Sequence, residues 1–307
     1  MSHRKFTALG TASQVPNTRA NQHSSFFKWD TEGFLFDPGE GTQRQMIYAG
    51  ITAPDITKIF ITHFHGDHCL GLPSILQRIS LDRVQHAIEI YYPASGMQFF
   101  ENIKGISSFY DTAKIKPYPI EGAGVIFSDD KMTITAAELQ HTIDTFGYRI
   151  QEHDSINFIQ EKLDKLGLAG PDVGLLMKNG TVIHKDKEVR LEDVSIIKPG
   201  QTFAFIMDTR LCPATIELAR KADLLVTEST FKDEDEDKAI RFGHLTATQA
   251  AQIAKEAEAR TLLLTHFSQR YSPPDDDFQT EARKVFPNTI QMKDKMSFVL
   301  ERPRRAV

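Results

Sequence analysis

Cysteine is scarce in this chain. Cys69 and Cys212 are its only two, too few for a disulfide framework, and that scarcity points to a reducing, cytoplasmic compartment. No stretch of 18 apolar residues occurs, which argues against a membrane-spanning helix. The opening "MSHRKFTALGT" runs straight into a strand-like pattern and lacks the apolar core of a secretory leader. Positive charge is not in excess either. The formal net charge is −5, which disfavours a generic polyanion binder but leaves room for a local basic face. Repeats and long low-complexity tracts are absent. Of 307 residues, 40% are hydrophobic and 25% charged, the mixture of a globular chain with a substantial buried core.

Histidine, by contrast, is crowded. "THFHGDH", residues 62–68, places His63, His65, Asp67 and His68 directly after the apolar run "KIFI". The surrounding pattern is that of strands and helices in turn. "KFTALGT" and "FFKWDTEGFLFDPGEGTQ" read as strands, the second with a hairpin turn at Thr31–Gly33, and a helix is expected over 42–50. A strand over 58–63 and a helix near 70–80 flank the histidines. Alternation returns at 87–92, 125–128, 131–137 and 146–151. After residue 200, "TFAFIMD", "DLLVTEST" and "TLLLTH" are each followed by a helical pattern, the last near 275–285. These short apolar runs end in His63, Asp208, Glu228 and His266. An α/β fold places its sites at the carboxyl ends of such strands. The acidic "KDEDEDK", 232–238, reads as a solvated loop or helix start. The segment 152–200 interrupts this order as an insertion between core strands, with a short amphipathic helix over 156–166 and a hairpin near 180–191, and is expected to form a protruding arm.

Neutral imidazoles and carboxylates are the usual ligands of zinc. His63 and His65, two residues apart on a loop, can reach one ion, while Asp67 and His68 suit a second. Four residues cannot close two sites, so further ligands must come from a distance, and His141, Asp208 and His266 are candidates at strand ends. A carboxylate such as Asp208 can bridge two cations and lower their repulsion. Each histidine taken alone reads first as a hydrogen-bonded structural residue. The cluster does not, because burying four such groups unpaired is costly.

"THFHGDH" has the HxHxDH pattern and resembles the metallo-β-lactamase superfamily. Beyond that loop the chain resembles the ribonuclease Z family, the tRNA 3′-end endonucleases, over nearly its whole length. "FLFDPGEGTQRQM", "KIFITHFHGDHCLGLP", "FGYRIQEHD", "DTR", "TEST", "GHLTATQAA" and "LLLTHFSQRY" follow in that family's order. The resemblance implies a four-layered αββα sandwich, a single domain over 1–307 with the substrate-binding arm, 152–200, inserted in it. It implies one zinc held by His63, His65, His141 and Asp208, and a second held by Asp67, His68, Asp208 and His266, with manganese or cobalt as alternatives. It further implies Asp67 as proton acceptor and His244 of "GHLT", held by Glu228 of "TEST", as proton donor to the leaving ribose oxygen. Precursor tRNA is the implied substrate and a homodimer the implied assembly. Asp37 would orient a histidine of the metal loop. Ser268, Arg270, Lys178, Lys185 and Lys187 are candidates for substrate contact.

Some readings stay open at this level. His244 also reads as a helix-capping neighbour of Thr246, and Arg270 as either a phosphate ligand or the partner of an acidic side chain. Over 178–190, Lys178, Lys185, Lys187 and Arg190 face only Asp186 and Glu188, a net +2, which is weak for an RNA-binding arm. Val173 stands where the family often has an aromatic. "VPNTRAN" lacks basic residues at Thr18 and Ala20, Met207 replaces a glycine and Thr227 a histidine. The rival readings are a related metallo-phosphodiesterase or sulfatase acting on small molecules, and an RNA-binding protein with a degenerate site.

Overall fold

Two seven-stranded sheets face each other across a layer of aromatic rings in the computed structural model, which describes residues 4–271 and 277–302. The first sheet begins with β1 (Arg4–Gly10), β2 (Ser24–Trp29) and β3 (Glu32–Phe36), antiparallel in turn. It continues in parallel with β4 (Lys58–Phe60), β5 (Ile88–Pro93) and β6 (Ile115–Ile120). The second sheet starts with β7 (Gly124–Ser128), β8 (Met132–Leu139) and β9 (Thr145–Glu152).

The chain then builds a separate compact unit, Gln151–Gln201 together with Asp129–Met132. Here β10 (Ser155–Phe158) and β13 (Ser195–Lys198) pair, as do β11 (Thr181–His184) and β12 (Lys187–Arg190). This unit has a core of its own around Leu163, Leu168, Leu176, Val189 and Val194. The second sheet resumes with parallel β14 (Thr202–Ile206), β15 (Leu224–Glu228), β16 (Leu262–Thr265) and β17 (Thr289–Gln291). The last strand, β18 (Ser297–Val299), returns to the edge of the first sheet beside β1.

The period-2 alternation of strands explains the layering. Phe26, Leu35, Ile59 and Ile90 face the helices Thr42–Ala49 and Leu72–Leu81 on the outside of the first sheet. Their neighbours Phe27, Phe36, Phe60 and Tyr91 face inward. On the second sheet, Ala204, Ile206, Leu225 and Leu264 pack under the helices Pro213–Ala219, Ala247–Glu256 and Asp277–Arg283. Phe203 and Phe205 face inward and meet the first sheet: ring centroids are 4.5 Å apart for both Phe27–Phe203 and Phe36–Phe205, and 5.0 Å for Phe60–Tyr148. Helix, sheet, sheet and helix thus form the expected four layers. No described helix is long and apolar enough to cross a membrane.

Three local expectations are corrected. The helix expected over 156–166 starts only at Gln160, because Ile156 and Phe158 alternate with exposed Ser155 and Asn157 and pair as β10. A helix over Pro171–Asn179, unforeseen in the sequence, is bounded by a proline in its first turn and by left-handed Gly180. β6 was missed because Pro117 and Pro119 argue against a strand; it lies at the edge of its sheet, where a missing N–H is tolerated. The helix expected near 275–285 is described from Asp277 to Arg283, and residues 275 and 276 lie outside the described residues.

Candidate metal centre

Five loops converge at the strand ends of the two sheets. The loop after β4 brings His63, His65, Asp67 and His68; the turns after β8, β14 and β16 bring His141, Asp208 and His266; and Glu228 ends β15. The two sheets are tied together at this end by the Phe146 N–H, which donates to the Thr62 carbonyl at 3.0 Å. Ligand-type atoms fall into three sets of four that share Asp208: His63, His65, His141 and Asp208; Asp67, His68, Asp208 and His266; and Asp208, Glu228, His244 and His266. In the first, His65 Nδ1 lies 3.0 Å from His63 Nε2 and 3.3 Å from His141 Nε2, and Asp208 Oδ2 is 3.7 Å from His63 Nε2. In the second, His68 Nε2 lies 3.2 Å from His266 Nε2, 3.4 Å from Asp67 Oδ2 and 3.3 Å from Asp208 Oδ2.

Those spacings fit a cation. Tetrahedral ligands with bonds of about 2.0–2.1 Å stand roughly 3.3 Å apart. Asp208 Oδ1 is buried and accepts no hydrogen bond from the described residues, with His266 Nδ1 3.4 Å away, a deficit that a bound cation relieves. Burial first, with neighbouring imidazoles adding to it, holds His63, His65 and His141 below the usual histidine range, so these rings are neutral and present lone pairs. At His68 burial opposes charge, yet Asp208, Asp67 and Asp37 outweigh it and raise the pKa well above normal. The position demands positive charge, which a proton or a metal ion can supply. Burial likewise opposes ionisation of Asp208 and Asp67, but facing imidazoles, His266 and His68 foremost, keep both carboxylates ionised.

A second layer turns the rings inward. Asp37 accepts from the Thr62 N–H and hydroxyl at 2.7 and 2.8 Å, and its Oδ2 lies 2.9 Å from His68 Nδ1. It therefore fixes His68 with Nε2 toward the site, the role the sequence suggested. His141 Nδ1–H donates to the Gly243 carbonyl at 2.7 Å, and Thr230 Oγ1 lies 2.9 Å from His266 Nδ1. Asp37 and His266 are non-glycine residues held at positive φ, 44° and 64°. Such strain is of the order of 1–3 kcal/mol per residue and is held where the surroundings over-determine the backbone.

Glu228, fully buried, holds His244. Its Oε2 is 3.0 Å from His244 Nδ1 and also takes the Leu245 N–H and the Thr230 hydroxyl, while Oε1 takes the Thr209 N–H at 2.6 Å. Burial works against a charged His244, but Glu228 and then Asp208 outweigh it, and the pKa is pushed up to about 9. His244 is thus more than a neighbour of the Thr246 cap, which is also present.

His65, Asp67, His141, His244 and His266 line the floor of a cleft of about 760 Å³. Ser268 and Arg270 stand in its wall, with Arg270 Nε 3.7 Å from Asp235 Oδ2, so the acidic partnership is the one the structure shows. Lys178, Lys185 and Lys187 are not in this cluster; they are exposed on the second unit. Cys69 and Cys212 are buried and unpaired, and burial pushes the Cys69 thiol up to about 12, so both act as packing residues. Sequence reasoning missed four features of this region. Lys238, in the acidic stretch 232–238 read as loop or helix start, and Phe242 beyond it also line the cleft. His23 lies buried with ring centroids 5.5 Å from His68 and 5.6 Å from His266, and neither ring nitrogen has a partner. The Gly243 carbonyl is invisible to any side-chain pattern, although a glycine directly before His244 was a signal.

Gly243 generates a prediction. It has φ +79°, and a Cβ there would stand 2.9 Å from His141 Nδ1. Gly243→Ala should weaken metal affinity about 10- to 100-fold by displacing His141, with a loss of only about 1–2 kcal/mol in stability from the left-handed backbone. Chelator competition and chemical denaturation measure the two, and unchanged metal affinity would show that this contact does not set His141.

The chain is similar to known proteins along its length. Residues 18–155 match the family described as the metallo-beta-lactamase superfamily, and residues 182–267 match a beta-lactamase superfamily domain. A ribonuclease Z of Nocardia farcinica is 48% identical over 99% of this chain and 100% of its own length. One from Chlamydia muridarum is 43% identical over the full length of both. The crystal structure of the short form of human tRNase Z superposes with a TM-score of 0.70 over 98% of this chain and 100% of its own, at 26% identity. With full-length identity of this order, the chain belongs to the ribonuclease Z family of the metallo-β-lactamase superfamily.

Proposed function

We propose that this metal-dependent hydrolase removes 3′ trailers from tRNA precursors as an endoribonuclease, using two zinc ions and leaving a tRNA 3′-hydroxyl. The observation that carries the reading is the convergence of seven ligand residues into two sets sharing Asp208, within a chain similar to ribonucleases Z along its whole length. When bound, a metal pair polarises a phosphate oxygen and lowers the pKa of a water. The remaining chemistry belongs to the side chains. Asp67, on the cleft floor, would orient the attacking water and accept its proton. An alkoxide leaves poorly at neutral pH, so the ribose 3′-oxygen needs a donor. His244 faces the cleft with Nδ1 on Glu228, which leaves Nε2 for that proton.

The test joins metal content to kinetics. Protein purified without chelator should carry close to two transition-metal equivalents by elemental analysis, and His244→Ala should keep both. That variant should lower single-turnover cleavage of a tRNA precursor by about 10² to 10⁴, with a much smaller loss on a nitrophenyl phosphodiester, whose leaving group needs no proton. Equal losses on both substrates, or loss of metal, would make His244 a structural residue or a ligand.

The second unit is proposed to be the substrate-binding arm. It has its own core and exposes Lys178, Lys185, Lys187 and Arg190. Removing a cation that neutralises one phosphate should flatten the dependence of log affinity on log salt by about one unit. Replacing the three lysines by alanine should therefore reduce the slope for precursor tRNA, and an unchanged slope would mean that the arm does not touch the RNA.

A homodimer is proposed from the apolar side chains left exposed on the first unit. Ile47, Tyr48, Leu81 and Tyr110 are 62%, 63%, 77% and 88% exposed, and Leu81 and Tyr110 line one surface depression with Gln43 of the helix that carries the other two. Sedimentation should give twice the 34.7 kDa chain mass, and Tyr48→Glu with Leu81→Glu should return it to one. A monomeric native protein would end the proposal. The two unpaired, buried cysteines suit a cytoplasmic location.

A further inference from the structure

The wall of the cleft beside His244 is aromatic. Phe242 closes the short helix Glu236–Phe242 and is 47% exposed, while Phe231 beneath it is nearly buried. Their rings are close to parallel, 18° apart with centroids 6.4 Å from each other. Phe231 in turn touches His244, at 5.9 Å between centroids. Both phenylalanines line the cleft.

A half-exposed phenylalanine alone carries no message. This one is backed by a second ring and fixed in place, since the next residue, Gly243, is tied through its carbonyl to His141. It also has a weak occupant. The Arg241 guanidinium carbon lies 5.3 Å from the Phe242 ring centroid, and Arg241 is exposed. An exposed cation–π contact is worth roughly 2- to 5-fold in an equilibrium, whereas a nucleobase stacked on an aromatic is worth roughly 5- to 150-fold. A base therefore displaces the guanidinium. The rest of the rim suits the backbone of the same ligand: Lys238, one turn before Phe242, and Arg270 are the cations there, both gathered around Asp235.

We infer that Phe242, backed by Phe231, is a stacking platform for the base of the nucleotide whose 3′-oxygen leaves, the terminal nucleotide of the tRNA product. The inference rests on the reading of the site as a precursor-tRNA nuclease. The direction follows from His244. The group that protonates the leaving oxygen stands next to the ribose bearing it, and the aromatic pair adjoins His244, so the base of that ribose falls on the platform. The trailer nucleotide, on the far side of the scissile phosphate, does not.

A cycle between protein and substrate tests this. The substrates are a tRNA precursor with all bases, one with an abasic ribose 5′ of the scissile bond, and one with the abasic ribose 3′ of it. The proteins are the wild type, Phe242→Ala, Phe242→Leu and Phe242→Trp, compared by single-turnover kcat/KM with thermal unfolding as the check of fold. Phe242→Ala and Phe242→Leu should each lose roughly 5- to 150-fold on the intact precursor, and Phe242→Trp should retain most of the rate. The upstream abasic substrate should cost the wild type a similar factor and cost Phe242→Ala little more. Additive losses at both positions would reduce Phe242 to a helix-packing residue, and coupling at the downstream position alone would overturn the assignment to the leaving nucleotide. A wild-type protein that cuts no precursor would overturn the nuclease reading and the platform with it; additivity in a protein that does cut overturns the platform alone.

Discussion

Asp208 is the carboxylate around which the rest of the fold is arranged. It is buried, yet nitrogen atoms of His63, His68, His141, His244 and His266 all lie within 4.0 Å of its oxygens. A buried carboxylate is costly unless compensated, and removing one partner of a buried ionic cluster is worse than never forming it. The five imidazoles come from loops on both sheets. They can meet at one point only if the sheets hold a fixed offset, and the stacked layer of Phe36, Phe60, Tyr148, Phe203 and Phe205 supplies it. Rings of that size interlock at few relative positions. The aromatic core is therefore part of the metal centre, although none of its atoms reaches it.

Convergence alone would not present lone pairs. Each ring must also be in the right tautomer, and the outward nitrogen decides that. Asp37 does this for His68 and the Gly243 carbonyl for His141, while Thr62 and Thr230 lie against His63 and His266. Two of these four groups are threonine hydroxyls whose single proton goes to a carboxylate, Asp37 for Thr62 and Glu228 for Thr230, so each is left to accept from the ring's Nδ1–H. Backbone strain at Asp37 and His266 belongs to the same arrangement.

Much of this was legible in the sequence because the signals are local. The parallel strands are short apolar runs, each followed within a few residues by a polar group, and "THFHGDH" concentrates four ligand residues in one loop. His141, Asp208 and His266 were found for the same reason: each follows a readable strand. Contacts between distant segments left no such trace. His23 sits beside His68 and His266 only because β2 lies next to β3, and nothing around "NQHSS" marks it. Lys238 was hidden in an acidic stretch whose charge suggested solvent, whereas Asp235 within it is buried and paired with Lys238 and Tyr271; Phe242 lies just beyond that stretch with no motif to mark it. In the second unit, Ile156 fits a helix face with Ile159 and Leu163 as well as a strand face with Phe158, and pairing with β13 decided between them.

The positions where the chain departs from the family pattern divide by direction. Thr227 replaces a histidine directly before Glu228, yet alternation along β15 puts it on the opposite face. Its partners in register are Ile206 and Leu264, both packed under the outer helices, so the substitution leaves the site's geometry untouched. The loop "VPNTRAN" has no basic side chain at Thr18 or Ala20, where the family pattern has them, and keeps one cation, Arg19, displaced by one position. Asn17 Oδ1 accepts from the Arg19 and Ala20 N–H groups, and the Asn21 N–H donates to Asp294. Ser13 and Gln14 are thereby still delivered to the cleft. What the loop no longer offers is positive charge at Thr18 and Ala20. Recognition of the RNA end near the scissile bond then falls to groups that work without it, and the aromatic wall beside His244 is of that kind. A stacked base is held through its π face, which every nucleotide has. Such a platform positions the end of the chain while remaining tolerant of which base is there.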